Sequence, residues 1–226
     1  MIFYGFFMMS RNTIYGFLSL IFIGVGVLIF LPLSSTNNIE VYADTNTSES
    51  SNYQDVKEMV LGSEEASIEI IEYASFTCPH CRHFHEESFF KLKKDYIDTG
   101  KVKFIFREVY FDKYGLWAGM VARCGGSKRY FGLIDLIFNK QDEWTKGDVS
   151  EVVKKLEIIG KISGLSETEI QSCLQDNDKA RALVESYKEN AVKDNIQSTP
   201  SLVINGKLYS NMDYNELVEI IENNLN

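Results

Sequence analysis

The stretch Ser67-Ile-Glu-Ile-Ile-Glu-Tyr-Ala-Ser-Phe-Thr-Cys-Pro-His-Cys81 decides the fold. Ser67 to Tyr73 is β-branched and partly alternating, which predicts a strand. A helix should follow. Pro79 suits its first position, because the N–H that proline lacks would be unpaired there anyway. Cys81, Phe84, His85, Ser88, Leu92 and Tyr96 then recur at helical spacing. Arg82, Glu86, Glu87, Lys91, Lys93 and Lys94 fall mostly on the other sides. Gly100 is placed to end the helix. Lys101 to Val109 (KVKFIFREV) predicts a second strand. Strand, helix, strand is a βαβ unit, normally right-handed with a parallel pair.

Outward from this unit, residues 112 to about 195 are mainly helical in pattern. Phe131 to Phe138 is one apolar block. Ser166-Glu-Thr-Glu169 reads as a capping box opening a helix. Asp178 to Asn195 reads as another helix. Ser201–Ile204, Asn205-Gly206 and Lys207–Ser210 form a hairpin signal, since Asn-Gly is a favoured type I′ pair. Asp213 with Glu216 can cap a last helix running to Asn223. With βαβ in front, helices in the middle and ββα behind, the expectation is one α/β domain carrying a helical insert.

Cys78-Pro79-His80-Cys81 is the most specific chemical signal. A C-x-x-C at a strand-to-helix junction puts the first sulfur at a helix N-terminus, where free N–H groups and the partial positive charge favour an anion. The thiolate of Cys78 is such an anion, so its pKa should fall to roughly 3.5–7. Cys81, one turn deeper on the apolar stripe, should be shielded. An exposed thiolate that forms a mixed disulfide and a buried partner that resolves it suit disulfide exchange. His80 between them can donate a hydrogen bond or positive charge to the thiolate, stabilising the reduced form. Other chemistries fit less well. Haem attachment requires a His directly after the second Cys, where Arg82 stands. Zinc could use Cys78, Cys81, His83 and His85, but His83 lies about 200° around the helix from Cys81. A purely structural disulfide leaves Pro79 and His80 unexplained.

Phe76-Thr-Cys-Pro-His-Cys81 after a strand resembles the active site of the DsbA family of thioredoxin-fold disulfide oxidoreductases, over roughly residues 53–226. The resemblance implies a thioredoxin fold (βαβ…ββα) with an inserted helical subdomain at about 112–190. It implies an enzyme that introduces disulfide bonds into exported proteins, with Cys78 as attacking thiolate and Cys81 as resolving thiol. Glu72, six residues before Cys78, stands where such proteins keep a buried acid beneath the disulfide; the alternative for Glu72 is an exposed strand position. If buried, it could take the Cys81 proton. Thr199-Pro200 resembles the family's cis-proline loop, which docks the substrate. X-Pro bonds are cis in only about 5% of cases in folded proteins, so this expectation rests on the resemblance. No organic cofactor or metal is implied. The implied partners are reduced exported proteins and a DsbB-type membrane reoxidant. A disulfide isomerase or reductase of the same fold, or a zinc-binding or chaperone-like module, are the alternatives.

Four cysteines allow three pairings. If the C-x-x-C pair is local, Cys124 and Cys173 are left for each other. A similar extra pair occurs in some branches of the resembled family, which supports a structural disulfide; two free buried thiols or a second redox relay remain the alternatives.

Composition and the N-terminus set the compartment. Of 226 residues, 45% are hydrophobic and 13% aromatic, enough for a sizeable core. The net charge of −9 argues against a nucleic-acid binder. No charged residue lies between Arg11 and Glu40, and Ile14 to Leu33 is almost all apolar. Twenty residues at about 1.5 Å each span roughly the hydrocarbon thickness of a bilayer. Residues 1–33 therefore read as a membrane anchor or signal peptide, with Arg11 on the cytoplasmic side. Residues 34–52, rich in Ser, Thr and Asn, read as a linker. The rest should lie outside the cytoplasm, in a bacterial periplasm or cell envelope, where disulfides persist.

Overall fold

The computed structural model describes residues 56–225, so the apolar segment 14–33 and the polar stretch 34–52 lie outside the described residues. A short strand that the sequence pattern does not announce, Met59–Gly62 (β1), comes first. Four residues are too few to display a period of two. Ile68–Ala74 (β2) and Val102–Glu108 (β3) follow, paired parallel as the βαβ reading requires.

Between them runs an irregular helix. Pro79–Phe84 (α1) is α-helical, His85–Phe89 is π-helical, Phe90–Leu92 (α2) returns to α, and Lys93–Ile97 is π-helical again. All six residues of the predicted apolar stripe are buried, from Cys81 at 0% to His85 at 7% exposed. The wider π turns bring Phe89 and Ile97 into the core as well.

Six helices separate β3 from the C-terminal hairpin. They are α3 (Lys113–Cys124), α4 (Gly126–Asn139), α5 (Gln141–Trp144), α6 (Val149–Ile162), α7 (Glu167–Gln175) and α8 (Asn177–Lys193). The Ser166–Glu169 capping box opens α7, and a second one, Asp148–Glu151, opens α6. β4 (Ser201–Ile204) and β5 (Lys207–Ser210) form the hairpin, with Asn205 and Gly206 both at positive φ as a type I′ turn requires. Asp213 Oδ1 accepts the backbone N–H groups of Asn215 and Glu216 at the start of α9 (Tyr214–Leu225).

The sheet order is β1-β3-β2-β4-β5, so β2 has neighbours on both sides and cover on both faces. Ile68, Ile70 and Ala74 join the main core with Phe104, Phe106, Leu202 and Ile204. Ile71 and Tyr73 point the other way, into a smaller cluster with Ile105, Val109 and Val203 that Tyr187 of α8 and Ile196 cover. Double cover explains why this strand reads as nearly continuous apolar sequence. It also places Glu72, in register with Phe106 and Leu202, on the main-core face between Ile70 and Ala74.

The insert is tied to the sheet by buried charge. Arg123 on α3 grips the Glu108 carboxylate at the end of β3 through Nε and Nη2, at 2.6 Å each. Tyr130 on α4 donates to the same carboxylate at 2.6 Å. At the other end, Arg107 and Tyr73 both donate to Asp194, just past α8.

Candidate active site

The turn from β2 into α1 is held by its own backbone and by the insert. Cys78 N–H donates to Ser75 O at 3.1 Å, and Arg82 N–H donates to Cys78 O at 3.2 Å. Cys78 itself has extended backbone angles, the usual geometry at a helix N-cap. Thr77 Oγ1 donates to Asp112 Oδ2 at 2.7 Å, while Asp112 caps α3 by accepting Gly115 N–H. Gln141, in α5, donates from Nε2 to Phe76 O at 2.7 Å and to Cys78 O at 3.0 Å. Its neighbour Asp142 pairs with Arg82. Phe76 is buried between the rings of Phe106 and Phe138.

The two sulfurs are free thiols in opposite environments. Cys78 is partly exposed and Cys81 is fully buried. A hydrogen bond from the Cys81 thiol is the main reason that the Cys78 pKa falls to about 5. Partial burial opposes this; Thr199 and the backbone N–H groups of Cys81 and His80 add to it. Burial, followed by the interaction with Cys78 and the charge of Glu72, pushes the Cys81 thiol far up. His80 is exposed, and its backbone N–H is among the groups that lower the Cys78 pKa.

Across from α1, the Thr199–Pro200 peptide bond is cis. Thr199 O lies 3.6 Å from Cys78 Sγ. Pro200 is buried and Thr199 half-buried, immediately before β4. Beneath the pair, Glu72 is 0% exposed. Its Oε2 lies 2.9 Å from Nε2 of His85, and the His85 ring stacks on Phe138 at 4.3 Å between centroids.

The structure thus gathers Cys78, Pro79, His80, Cys81, Thr199 and Pro200 at one place, with Glu72 buried beneath. Cys124 and Cys173 form a disulfide between the end of α3 and α7, within the insert. Of the metal ligands weighed in the sequence, His83 faces solvent while His85 turns inward. Three participants escaped the sequence. His85 carried a signal, since it lies four residues beyond Cys81 on the buried face. Gln141 and Asp112 carried none, because their contacts with the turn cross 65 and 35 residues of chain.

A parallel β2–β3 pair, an antiparallel β4–β5 hairpin, a C-x-x-C opening the intervening helix and a cis proline facing it define a thioredoxin-fold protein. The sequence profile of the Thioredoxin family matches residues 54–223. A putative protein-disulfide oxidoreductase of Rickettsia bellii is 34% identical, over 74% of this chain and 64% of its own length. Disulfide bond formation protein D of Bacillus subtilis is 32% identical, over 74% of this chain and 76% of its own. Among solved structures, Wolbachia pipientis α-DsbA1 is similar with a TM-score of 0.70 and 30% identity, covering 75% of this chain and 92% of that one. The chain belongs to the thioredoxin family, in its DsbA-like branch. It spans between 54% and 64% of the length of the rickettsial relatives it matches.

Proposed function

We propose that the protein is a thiol-disulfide oxidoreductase that introduces disulfide bonds into exported proteins through Cys78 and Cys81. The observation that carries this reading is the division between the sulfurs: one partly exposed and ionised near pH 5, the other sealed and held as a thiol. In the oxidised enzyme, a client thiolate attacks Cys78 Sγ and the Cys78–Cys81 bond breaks. Cys81 leaves with the electron pair and takes a proton, which Glu72 is placed to supply beneath it. A second client thiolate then attacks the client sulfur of the mixed disulfide, closing the client disulfide and releasing Cys78 as thiolate. Two electrons pass from client to enzyme. A stabilised Cys78 thiolate is a good leaving group, and this favours donation of the disulfide.

Pro79 and His80 shape the first turn, and Thr199 with Pro200 docks an extended client segment beside Cys78, in the manner of strand addition. The Cys124–Cys173 bridge is structural. Residues 53–226 form the redox domain, with the insert at about 112–190. A linker at 34–52 joins it to a signal peptide or inner-membrane anchor within 1–33. No helix among the described residues is long and apolar enough to cross a membrane. The domain works outside the cytoplasm, in the periplasm or cell envelope, and a DsbB-like membrane protein reoxidises it. Relatives named putative protein-disulfide oxidoreductase and disulfide bond formation protein D support the assignment.

The test is the equilibrium of the Cys78/Cys81 pair against glutathione. A potential well above that of thioredoxin, about −270 mV, supports disulfide donation, and a value at or below it indicates a reductase. Cys78→Ser should abolish oxidation of a reduced client protein while leaving the fold intact. Bound zinc at Cys78 in the purified protein would overturn the redox reading.

A further inference from the structure

The four-residue helix α5 owes its position to Trp144, which is fully buried and donates Nε1–H to Ile137 O at 2.8 Å. That anchor delivers Gln141, 3% exposed, against the turn between β2 and α1. A carboxamide nitrogen carries two hydrogens, and Gln141 directs both at this turn: one to Phe76 O, one to Cys78 O. Cys78 O also accepts Arg82 N–H, so both of its acceptor directions are occupied. Phe76 lies past the last residue of β2 and before the first of α1, where neither ladder satisfies its carbonyl. A buried carbonyl in that position needs a donor from elsewhere, and the insert supplies it.

We infer that Gln141 is a positioning residue for the redox pair: by fixing the Phe76 and Cys78 carbonyls it holds the Phe76–Thr77 and Cys78–Pro79 peptide planes that flank Cys78, and so the direction from which Cys78 Sγ meets the first turn of α1. A free turn could rotate these planes and still satisfy its carbonyls with water. The clamp removes that freedom, so the cost of orienting dipoles around a new anion is met during folding and not at each exchange. The insert, on this account, is part of the thiolate's solvation and not merely a lid on the fold. The inference rests on Cys78 being the attacking thiolate.

The experiment is a pH titration of thiolate ultraviolet absorbance in the reduced full-length protein, together with the glutathione equilibrium. Gln141→Met keeps volume and loses both donors. Its midpoint should rise by about half to one pH unit, and the glutathione equilibrium should shift about 3–10-fold toward the protein disulfide. Gln141→Glu, which keeps the reach but turns an acceptor toward two carbonyls, should rise at least as far and serves if the Met variant does not fold. Arg123→Met is the control: it destabilises the insert at its Glu108 contact without touching α5 or the turn, so it should lower the melting temperature and leave the midpoint in place. A parental midpoint in Gln141→Met, or an equal rise in Arg123→Met, would overturn the inference. A parent that itself titrates like free cysteine would instead sink the proposed function.

Discussion

Nε2 of His85 lies 2.9 Å from Oε2 of Glu72, with 4% of the histidine side chain and none of the glutamate side chain reaching solvent. Neither Glu72 Oε1 nor His85 Nδ1 has a partner among the described residues. The pair sits under Cys81, and the rings of Phe84, Phe89, Phe106 and Phe138 pack around His85. A carboxylate and an imidazole in contact can share one proton, so a proton leaving or joining Cys81 finds a place without an isolated charge forming in the core.

Glu72→Gln should therefore slow the steps in which Cys81 gains or loses its proton by about 10²-fold, and leave Cys78 alkylation nearly unchanged. His85→Phe, which can keep the stack on Phe138, should give a smaller slowing of the same step. Rapid-mixing measurement of mixed-disulfide resolution separates these from initial attack. Parental resolution rates in Glu72→Gln would remove the residue from the mechanism.

Cys78 alkylation should follow a single titration with its midpoint at about 5 and stay flat above neutrality. The folded pKa lies below the ordinary cysteine value of 9.0, so ionisation stabilises the folded reduced protein. This contribution is fully present above the unfolded pKa, declines as pH falls, and is gone below the folded pKa. The oxidised protein has no such group. The excess stability of the reduced over the oxidised form should accordingly grow between pH 5 and 9. Urea unfolding of both forms across that range measures it, and parallel pH profiles for the two would refute it.

Converting both Cys124 and Cys173 to Ala opens a crosslink that spans 49 residues. On the chain-entropy account the loss is about 4 kcal/mol, an upper figure for a bridge within packed helices. The melting temperature should fall by several degrees, whereas the Cys78 titration should hold its midpoint. A shifted midpoint would tie this bridge to the redox centre.

Arg123→Met leaves the buried Glu108 carboxylate with Tyr130 as its remaining neutral donor. Removing one partner of such a pair costs about 3–5 kcal/mol. Pairing the change with Glu108→Gln should recover part of that loss, because the stranded charge goes with it. Equilibrium unfolding of the single and double variants checks the sign of the coupling.

Much of this architecture is legible in the chain. The hairpin was plain because Asn205-Gly206 admits few other conformations, and the stripe from Cys81 to Tyr96 was plain because one face of a helix meets the core. Where local signals were short or ambiguous, the sequence spoke less. β1 is four residues long. The Asp148–Glu151 box carries the spacing of Ser166–Glu169 but lacks an apolar run as clear. The side of β2 on which Glu72 lies could not be read from alternation in a strand covered on both faces. Gln141 is an unremarkable polar residue after Asn139 and Lys140, and its partners become visible only when α5 folds back over the turn.

Cys78 and Thr199 are separated by 121 residues, yet their atoms meet. The ribosome makes the reactive sulfur and its main stabiliser, Cys81, early, and Thr199, which adds to the effect, late. A nascent chain that ends before the β4–β5 hairpin should thus carry a Cys78 less reactive than that of the finished protein, and arrested chains of increasing length would reach the full alkylation rate only once the last strands have emerged. Full reactivity acquired at the end of synthesis would keep an incomplete oxidant from capturing the machinery that is still producing it.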